Sequence, residues 1–246
     1  GRNVYRDPFL PLLPDVEFLP FGDLDALAAI DDSVACVITE PIQGEGGIVV
    51  PSVKWHQALR NRCTETGALL LFDEIQTGFG RTGKLFACEQ FDVVPDIITL
   101  AKAMGGGMPL GAFVASREIM GTLRSDPPLS HVTTFGGHPV SCAAAGAALK
   151  VLIENDLPAR ASHIESVVRK RLVHPSILEI RGMGAMLGMN LDSPETTQKV
   201  ADYCLDNGVL LGWTLHSNTL IRIAPPLNIS ASVLNDAIDV ILKALE

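Results

Sequence analysis

The chain has 246 residues, 47% of them apolar, which is enough for one large domain or two modest ones and excludes a disordered or coiled-coil chain. Nineteen basic residues against 28 acidic ones give a net charge of −9 without any Lys/Arg run, so no nucleic-acid partner is expected and anionic substrates must be met by single placed cations. No stretch approaches the roughly 18 to 20 uninterrupted apolar residues of a membrane span, and no membrane association is expected.

Residues 1–20 carry four prolines and little periodicity, and they lack the charged start and long apolar run of a secretory signal. The chain is expected to begin inside a domain. Beyond them, Val34–Thr39 is a short apolar run of the kind that forms a strand buried on both faces. Pro51 to Cys63 then sets Trp55, Ala58, Leu59 and Cys63 on one helical face, with Ser52 as N-cap. Ala68–Asp73, Asp96–Leu100 and Gly111–Ala115 are the next strands, and the alternation implies a mostly parallel sheet with helices on both faces. After Pro139 an Ala-rich helix (Ser141 to Ile153) leads to a second helix from Pro158 to Leu172. Short strands are expected at Ile177–Ile180, Ala185–Leu191 and Leu220–Ile223, and helices at Pro194–Asn207 and Ser232–Leu245. The last helix carries Leu234, Ala237, Ile238, Ile241 and Leu245 on one stripe. The expected fold class is α/β: part of a mostly parallel-sheet large domain over residues 1–147, and a smaller α+β domain over 148–246.

The five cysteines (Cys36, Cys63, Cys88, Cys142, Cys204) stand 25 or more residues apart, and neither a CxxC pair nor an HExxH motif occurs. No disulfide framework and no metal site are expected, and the cysteines read as reduced hydrophobes of a cytoplasmic protein.

Ligands of an open parallel sheet gather at the carboxyl ends of its strands. Three such ends carry glycine-rich polar sequence: Thr39 to Gly47, Asp73 to Gly83 and Ala101 to Gly111; a fourth cluster, Thr133 to Pro139, precedes the Ala-rich helix. Asp73 ends an apolar strand, where a carboxylate is costly without a cationic partner. Lys102 follows another strand, ahead of three glycines. A desolvated lysine amine attacks carbonyls, so the two residues suggest a Schiff-base lysine and a carboxylate holding a protonated heteroaromatic nitrogen, as a pyridoxal phosphate (PLP) site requires. The plainer readings are a solvated loop lysine and a turn-forming aspartate. A nucleotide-binding reading fails on chemistry. Gly78 to Lys84 has phosphate-loop spacing, but position 85 is Leu where a magnesium-binding hydroxyl is needed, and the acidic strand sits just ahead of the loop.

The motifs EPIQGEGG (40–47), LLLFDEIQTGFGRTG (69–83), DIITLAKAMGGGMPLGA (96–112), TTFGGHPVSCAAA (133–145) and IRIAPPL (221–227) occur in order. Together they make the chain resemble the class III (ω-amino acid) aminotransferases, PLP enzymes of fold type I, and most of all the acetylornithine, ornithine and 4-aminobutyrate aminotransferases. The resemblance implies that Lys102 forms the Schiff base and shuttles the proton, while Asp73 pairs with the pyridine nitrogen. It sets Gln76 near the cofactor's 3′-oxygen and sends Thr134, beside Thr133, to the phosphate of a neighbouring subunit in a homodimer. Arg222 would grip a substrate carboxylate and Glu45 would pair with Arg222 when an ω-amine donor is bound. The plainer readings of those two are a structural arginine and a surface loop glutamate. His138, Trp213 and His216 are expected to pack rather than line the pocket. The implied reaction transfers an amino group from an ω-amine to 2-oxoglutarate. One departure is large. The family's phosphate-binding loop and ring-stacking aromatic lie upstream of the matched region, so the second expectation is a truncated fragment without catalytic competence.

Overall fold

A computed structural model of the chain describes residues 3–214 and 216–246. One helical turn, α1 (Asn3–Arg6), and a 3-10 turn (Asp7–Phe9) open the chain, and the next element is a 3-10 turn at Asp25–Ala29. Strand β1 (Cys36–Thr39) follows, then helix α2 (Val53–Thr66), β2 (Leu69–Asp73), β3 (Ile97–Leu100) and β4 (Ala112–Ala115). The four strands form one sheet in the order β1-β2-β3-β4, parallel between the first three and antiparallel at β4. The reversal has a plain cause. A parallel return needs a crossover of a dozen or more residues, and the β3–β4 link holds only a 3-10 turn, Lys102–Gly105, and a short loop.

Helix α2 starts where expected. The Ser52 side chain accepts from the Trp55 N–H at 3.1 Å, and Gly67 ends the helix at φ 79°, a left-handed cap that suits glycine. Its buried face is Trp55, His56, Leu59 and Cys63, packed over Leu70 and Phe72 of β2, both fully buried. The opposite face of the sheet departs from expectation. Leu69, Leu71 and Asp73 are only half-buried, and Ile38 is 70% exposed. Short 3-10 turns stand where covering helices were expected, so among the described residues α2 is the one α-helix between β1 and β4, and it covers a single face.

The second half begins with α3 (Arg117–Gly121) and an irregular, exposed segment over 122–138, then α4 (Pro139–Glu154) and α5 (Leu157–Arg171). Strands β5 (Ile177–Met183), β6 (Met186–Leu191), β7 (Gly212–Thr214) and β8 (Ser217–Ile223) build an antiparallel sheet in the order β5-β6-β8-β7, with α6 (Pro194–Asp206) between β6 and β7 and α7 (Ala231–Leu245) after β8. The sequence did not reveal β7. Leu234, Ile238, Ile241 and Leu245 of α7 are buried as the stripe requires, with Ala237 half-buried. At roughly 1.5–3 kcal/mol for each large apolar side chain taken from water, this stripe anchors the helix to the sheet. Glycine 106 lets β3's trailing turn meet α4, because a Cβ there would lie 2.6 Å from the Ala144 carbonyl.

All five cysteines are free; Cys63, Cys88 and Cys204 are buried, Cys36 is half-buried and Cys142 is exposed. Burial beside the Glu74 carboxylate pushes the Cys88 thiol up to about 12. No helix among the described residues is long and apolar enough to cross a membrane.

Candidate active site

Register sets the site. Thr39 pairs with Phe72 and Asp73 with Thr99, so the carboxyl ends of β1, β2 and β3 lie side by side and Glu40, Asp73 and Lys102 follow one another across the sheet's edge. Side chains alternate along a strand. Phe72 therefore goes to the α2 side and Asp73 to the open face. Asp73 Oδ1 accepts the Ile75 N–H at 2.9 Å, which turns the chain out of the strand. The neighbouring Glu74 does different work. Fully buried, it accepts from the Thr77 hydroxyl at 2.6 Å and from the Ala87 and Cys88 N–H groups at 2.8 Å, and so folds the loop beyond β2.

Lys102 stands at the start of its 3-10 turn with φ 48°, in the left-handed region. Ile48 (φ 55°) and Phe79 (φ 56°) share that conformation, and all three line one cleft of about 1410 Å³ between the two sheets. A β-branched residue such as Ile48 adopts this backbone rarely, and strain of this kind gathers at ligand sites. Gln76, Arg81 and Arg222 are also on the cleft wall. The Gln76 Oε1 atom is buried without a hydrogen-bond partner, and Gly44 lies so close that a Cβ there would come 1.7 Å from it. A half-buried amide on the cleft wall with an unused polar atom is a place for a polar ligand atom, with oxygen and nitrogen of the amide interchangeable by rotation.

Arg222, on β8, pairs with Glu45 of the loop after β1. Glu40 reports how close these groups lie. Its carboxyl is held above the ordinary carboxylate range first by burial and further by the Asp73 and Glu45 carboxylates, while the Gly44 N–H (3.0 Å from Oε2) and the Lys102 ammonium pull it down. Four of the charged groups thus share one electrostatic neighbourhood.

Of the residues expected from the sequence, Lys102, Gln76 and Arg222 meet on the cleft wall, Asp73 and Glu45 stand beside it, and Thr133 and Thr134 lie on the exposed 122–138 segment, away from that wall. The packing expected of His138, Trp213 and His216 is not found: Trp213 is 44% exposed, and the two histidines are also exposed. Their elements explain it, since His138 precedes α4 on the irregular segment, Trp213 lies on the short strand β7 and His216 stands just before β8. Sequence reasoning passed over Glu40, although the strand-end argument that selected Asp73 applies to it equally. Among the described residues no group of three or more His, Cys, Asp or Glu side chains could hold a metal ion.

This arrangement belongs to a known class. The chain matches the class III aminotransferases over residues 2–245, and it belongs to that family. Among solved structures it is similar to the ornithine aminotransferase of Toxoplasma gondii (TM-score 0.91, 34% identity, 99% of this chain and 58% of that one). It is also similar to the acetylornithine aminotransferase of Elizabethkingia anophelis (TM-score 0.87, 35% identity, 98% and 62%). An amine transaminase from an uncultivated Pseudomonas species, solved with PLP bound, matches at TM-score 0.88 and 28% identity over 100% of this chain and 64% of that one. The fold is that of fold type I PLP transferases. The chain spans about three-fifths of the length of these structures.

Proposed function

We propose that the chain carries the lysine-bearing part of a PLP-dependent aminotransferase site that moves the amino group of an ω-amine, of ornithine, acetylornithine or 4-aminobutyrate type, to 2-oxoglutarate. The observation that carries this reading is a left-handed Lys102 and the unpartnered amide oxygen of Gln76 on one cleft wall, with the strand-end carboxylate of Asp73 beside it. That donor set fits PLP: an amine for its aldehyde, a carboxylate for its ring nitrogen and an amide for its ring oxygen. When bound, the cofactor supplies an aromatic ring that withdraws electrons from the substrate carbon.

Lys102 would hold the cofactor's aldehyde carbon through its amine and, once displaced, carry the proton to and from the substrate carbon. Asp73 keeps a proton on the ring nitrogen. Arg222 takes the carboxylate of the 2-oxo acid through the two-pronged geometry that guanidinium offers. Glu45 occupies Arg222 when the donor presents no carboxylate there, so the cation is never left unpaired. Thr134, with Thr133 beside it, would reach the phosphate of a second copy in a homodimer. The exposed position of both supports that role. The reading keeps the division into a large domain to residue 147 and a small one from 148, one for each sheet. Five free thiols fit a reducing cytoplasm.

A second reading concerns this stretch taken alone. It spans 58% of the Toxoplasma structure and leaves one sheet face half-open, which favours a piece without turnover of its own. Both readings share a first test. The gene product carrying these residues is incubated with PLP, reduced with borohydride and digested. The pyridoxyl group should map to Lys102; a label on Lys84 or Lys54 with Lys102 clean overturns the assignment.

A further inference from the structure

His56 is a polar ring in an apolar place. It is fully buried on α2, stacked on Phe91 with ring centroids 3.6 Å apart and planes 9° from parallel, and edge-on to Trp55 at 5.0 Å. An imidazole buried among apolar rings costs free energy unless its N–H is used. Its two nitrogens face two backbone carbonyls: Nε2 lies 2.8 Å from the Pro41 oxygen and Nδ1 lies 3.0 Å from the Ser52 oxygen. A neutral ring has one N–H and serves only one of them. The Ser52 carbonyl already accepts the backbone N–H groups of Trp55 at 3.0 Å and His56 at 3.3 Å, so both its lone pairs are engaged. The carbonyl of buried Pro41 has no other donor among the described residues. Assigning the single proton to Nε2 gives the Pro41 carbonyl a donor and leaves the Ser52 carbonyl with the two it has.

We propose that His56 is a positioning residue of the candidate site: its Nε2–H holds the Pro41 carbonyl and so fixes the root of the loop that delivers Glu45 to Arg222. The consequence for turnover rests on the aminotransferase reading; the hydrogen bond does not. The loop's far half is closed on itself, since Gln43 and Val49 exchange two backbone bonds at 3.0 Å and the Gly47 and Ile48 N–H groups both reach the Gly44 carbonyl. Its root has no such closure. Strand β1 ends at Thr39, Pro41 has no N–H to give, and among the described residues the one side-chain bond from root to loop is Glu40 to the Gly44 N–H, since the Thr39 hydroxyl reaches no further than the Glu40 carbonyl. Helix α2 is the rigid body next to that root, and His56 is its hand on it. The ring stays neutral because burial pushes its pKa down, while the two carbonyls oppose this and no charged side chain contributes from α2, β2, the Phe91 turn or the loop.

The test begins with long-range ¹H–¹⁵N spectra of the chain at pH 7, which should show His56 as the Nε2–H tautomer. His56→Leu keeps the volume and removes the donor, and it should speed amide exchange at Gly44, Gly47 and Ile48 by about fivefold, the factor of one neutral hydrogen bond. His56→Gln, whose amide can still reach a carbonyl, should restore slow exchange. In the gene product, His56→Leu should impair the ω-amine half-reaction more than the glutamate half-reaction. An Nδ1–H or doubly protonated ring, or unchanged exchange in His56→Leu, overturns the proposal. Should that variant fail to fold, the tautomer and the His56→Gln exchange decide it. A gene product with no transamination at all refutes the functional reading instead, and leaves the spectra to judge the hydrogen bond.

Discussion

Lys102 enters the cleft with φ 48°, a backbone that an L side chain adopts at a cost of roughly 1–2 kcal/mol and glycine adopts freely. The surrounding turn holds it there, with the Met104 N–H on the Ala101 carbonyl at 3.0 Å and the Gly106 N–H on the Ala103 carbonyl at 3.2 Å. Removing the side chain therefore has two distinguishable effects. Lys102→Gly should be more stable to urea than Lys102→Ala by about 1 kcal/mol; equal stabilities would show that the left-handed turn carries no strain. For Asp73, replacement by Ala strips the carboxylate from the open face of β2. It should cost the gene product about 3–4 kcal/mol of transition-state stabilisation, roughly a hundredfold to a thousandfold in kcat/KM. Turnover within about threefold of wild type would release Asp73 from the role. Glu45→Gln leaves Arg222 without its anion and should slow the ω-amine half-reaction more than the glutamate half-reaction in single-turnover spectroscopy. Equal losses would reduce Glu45 to a loop residue.

The loop after β1 shows what one element does to a titration. Glu40 is half-buried beside two other carboxylates, and its folded pKa lies above its unfolded one. The folded state then binds the Glu40 proton more tightly, so this group's contribution to stability is present below its unfolded pKa and is lost as pH rises through the folded value. Glu40→Gln, which still accepts the Gly44 N–H, should raise the urea midpoint at pH 7 and lose that advantage towards pH 4. An advantage that grows on acidification would contradict the burial argument. Much of this architecture was legible in the sequence: the runs at 68–73 and 96–100 contain the strands Leu69–Asp73 and Ile97–Leu100, Ser52 caps α2, and the large residues of the α7 stripe are buried. Strand β7 was not, because three residues, Gly-Trp-Thr, form it by pairing with β8 and carry no period of their own. The open sheet face was missed because an apolar run looks the same whether one side or both are covered. The Glu45–Arg222 contact joins residues 177 apart in sequence; no spacing rule finds it, and only family resemblance brought the two together. Left-handed backbone at Ile48 and Phe79 leaves no mark in residue type, since nothing about either side chain favours it.

At the scale of the molecule, the chain spans 58 to 64% of the three structures described above, and one face of its first sheet is half-open with Ile38 at 70% exposure. Phosphate binding in this fold is expected from backbone N–H groups at a helix N-terminus, and among the described residues the threonines of the exposed 122–138 segment are the only ones the resemblance assigns to a phosphate, and to that of a second copy. The stretch expressed alone and saturated with PLP should therefore form no glutamate from 2-oxoglutarate and an ω-amine donor. Turnover comparable to the gene product would show that these residues suffice.

Arg81 has a consequence for how such a site moves. From the loop that carries Gln76 it donates, through one nitrogen, to the Ala185 carbonyl at 3.2 Å and the Pro225 carbonyl at 2.6 Å, and Pro225 stands three residues beyond Arg222. One side chain thus ties the loop beyond β2 to the segment just beyond Arg222. On the proposed reading, a 2-oxo acid taken by Arg222 meets a wall whose two halves are joined by a single side chain, so the loop beyond β2 and the end of β8 would shift together rather than apart.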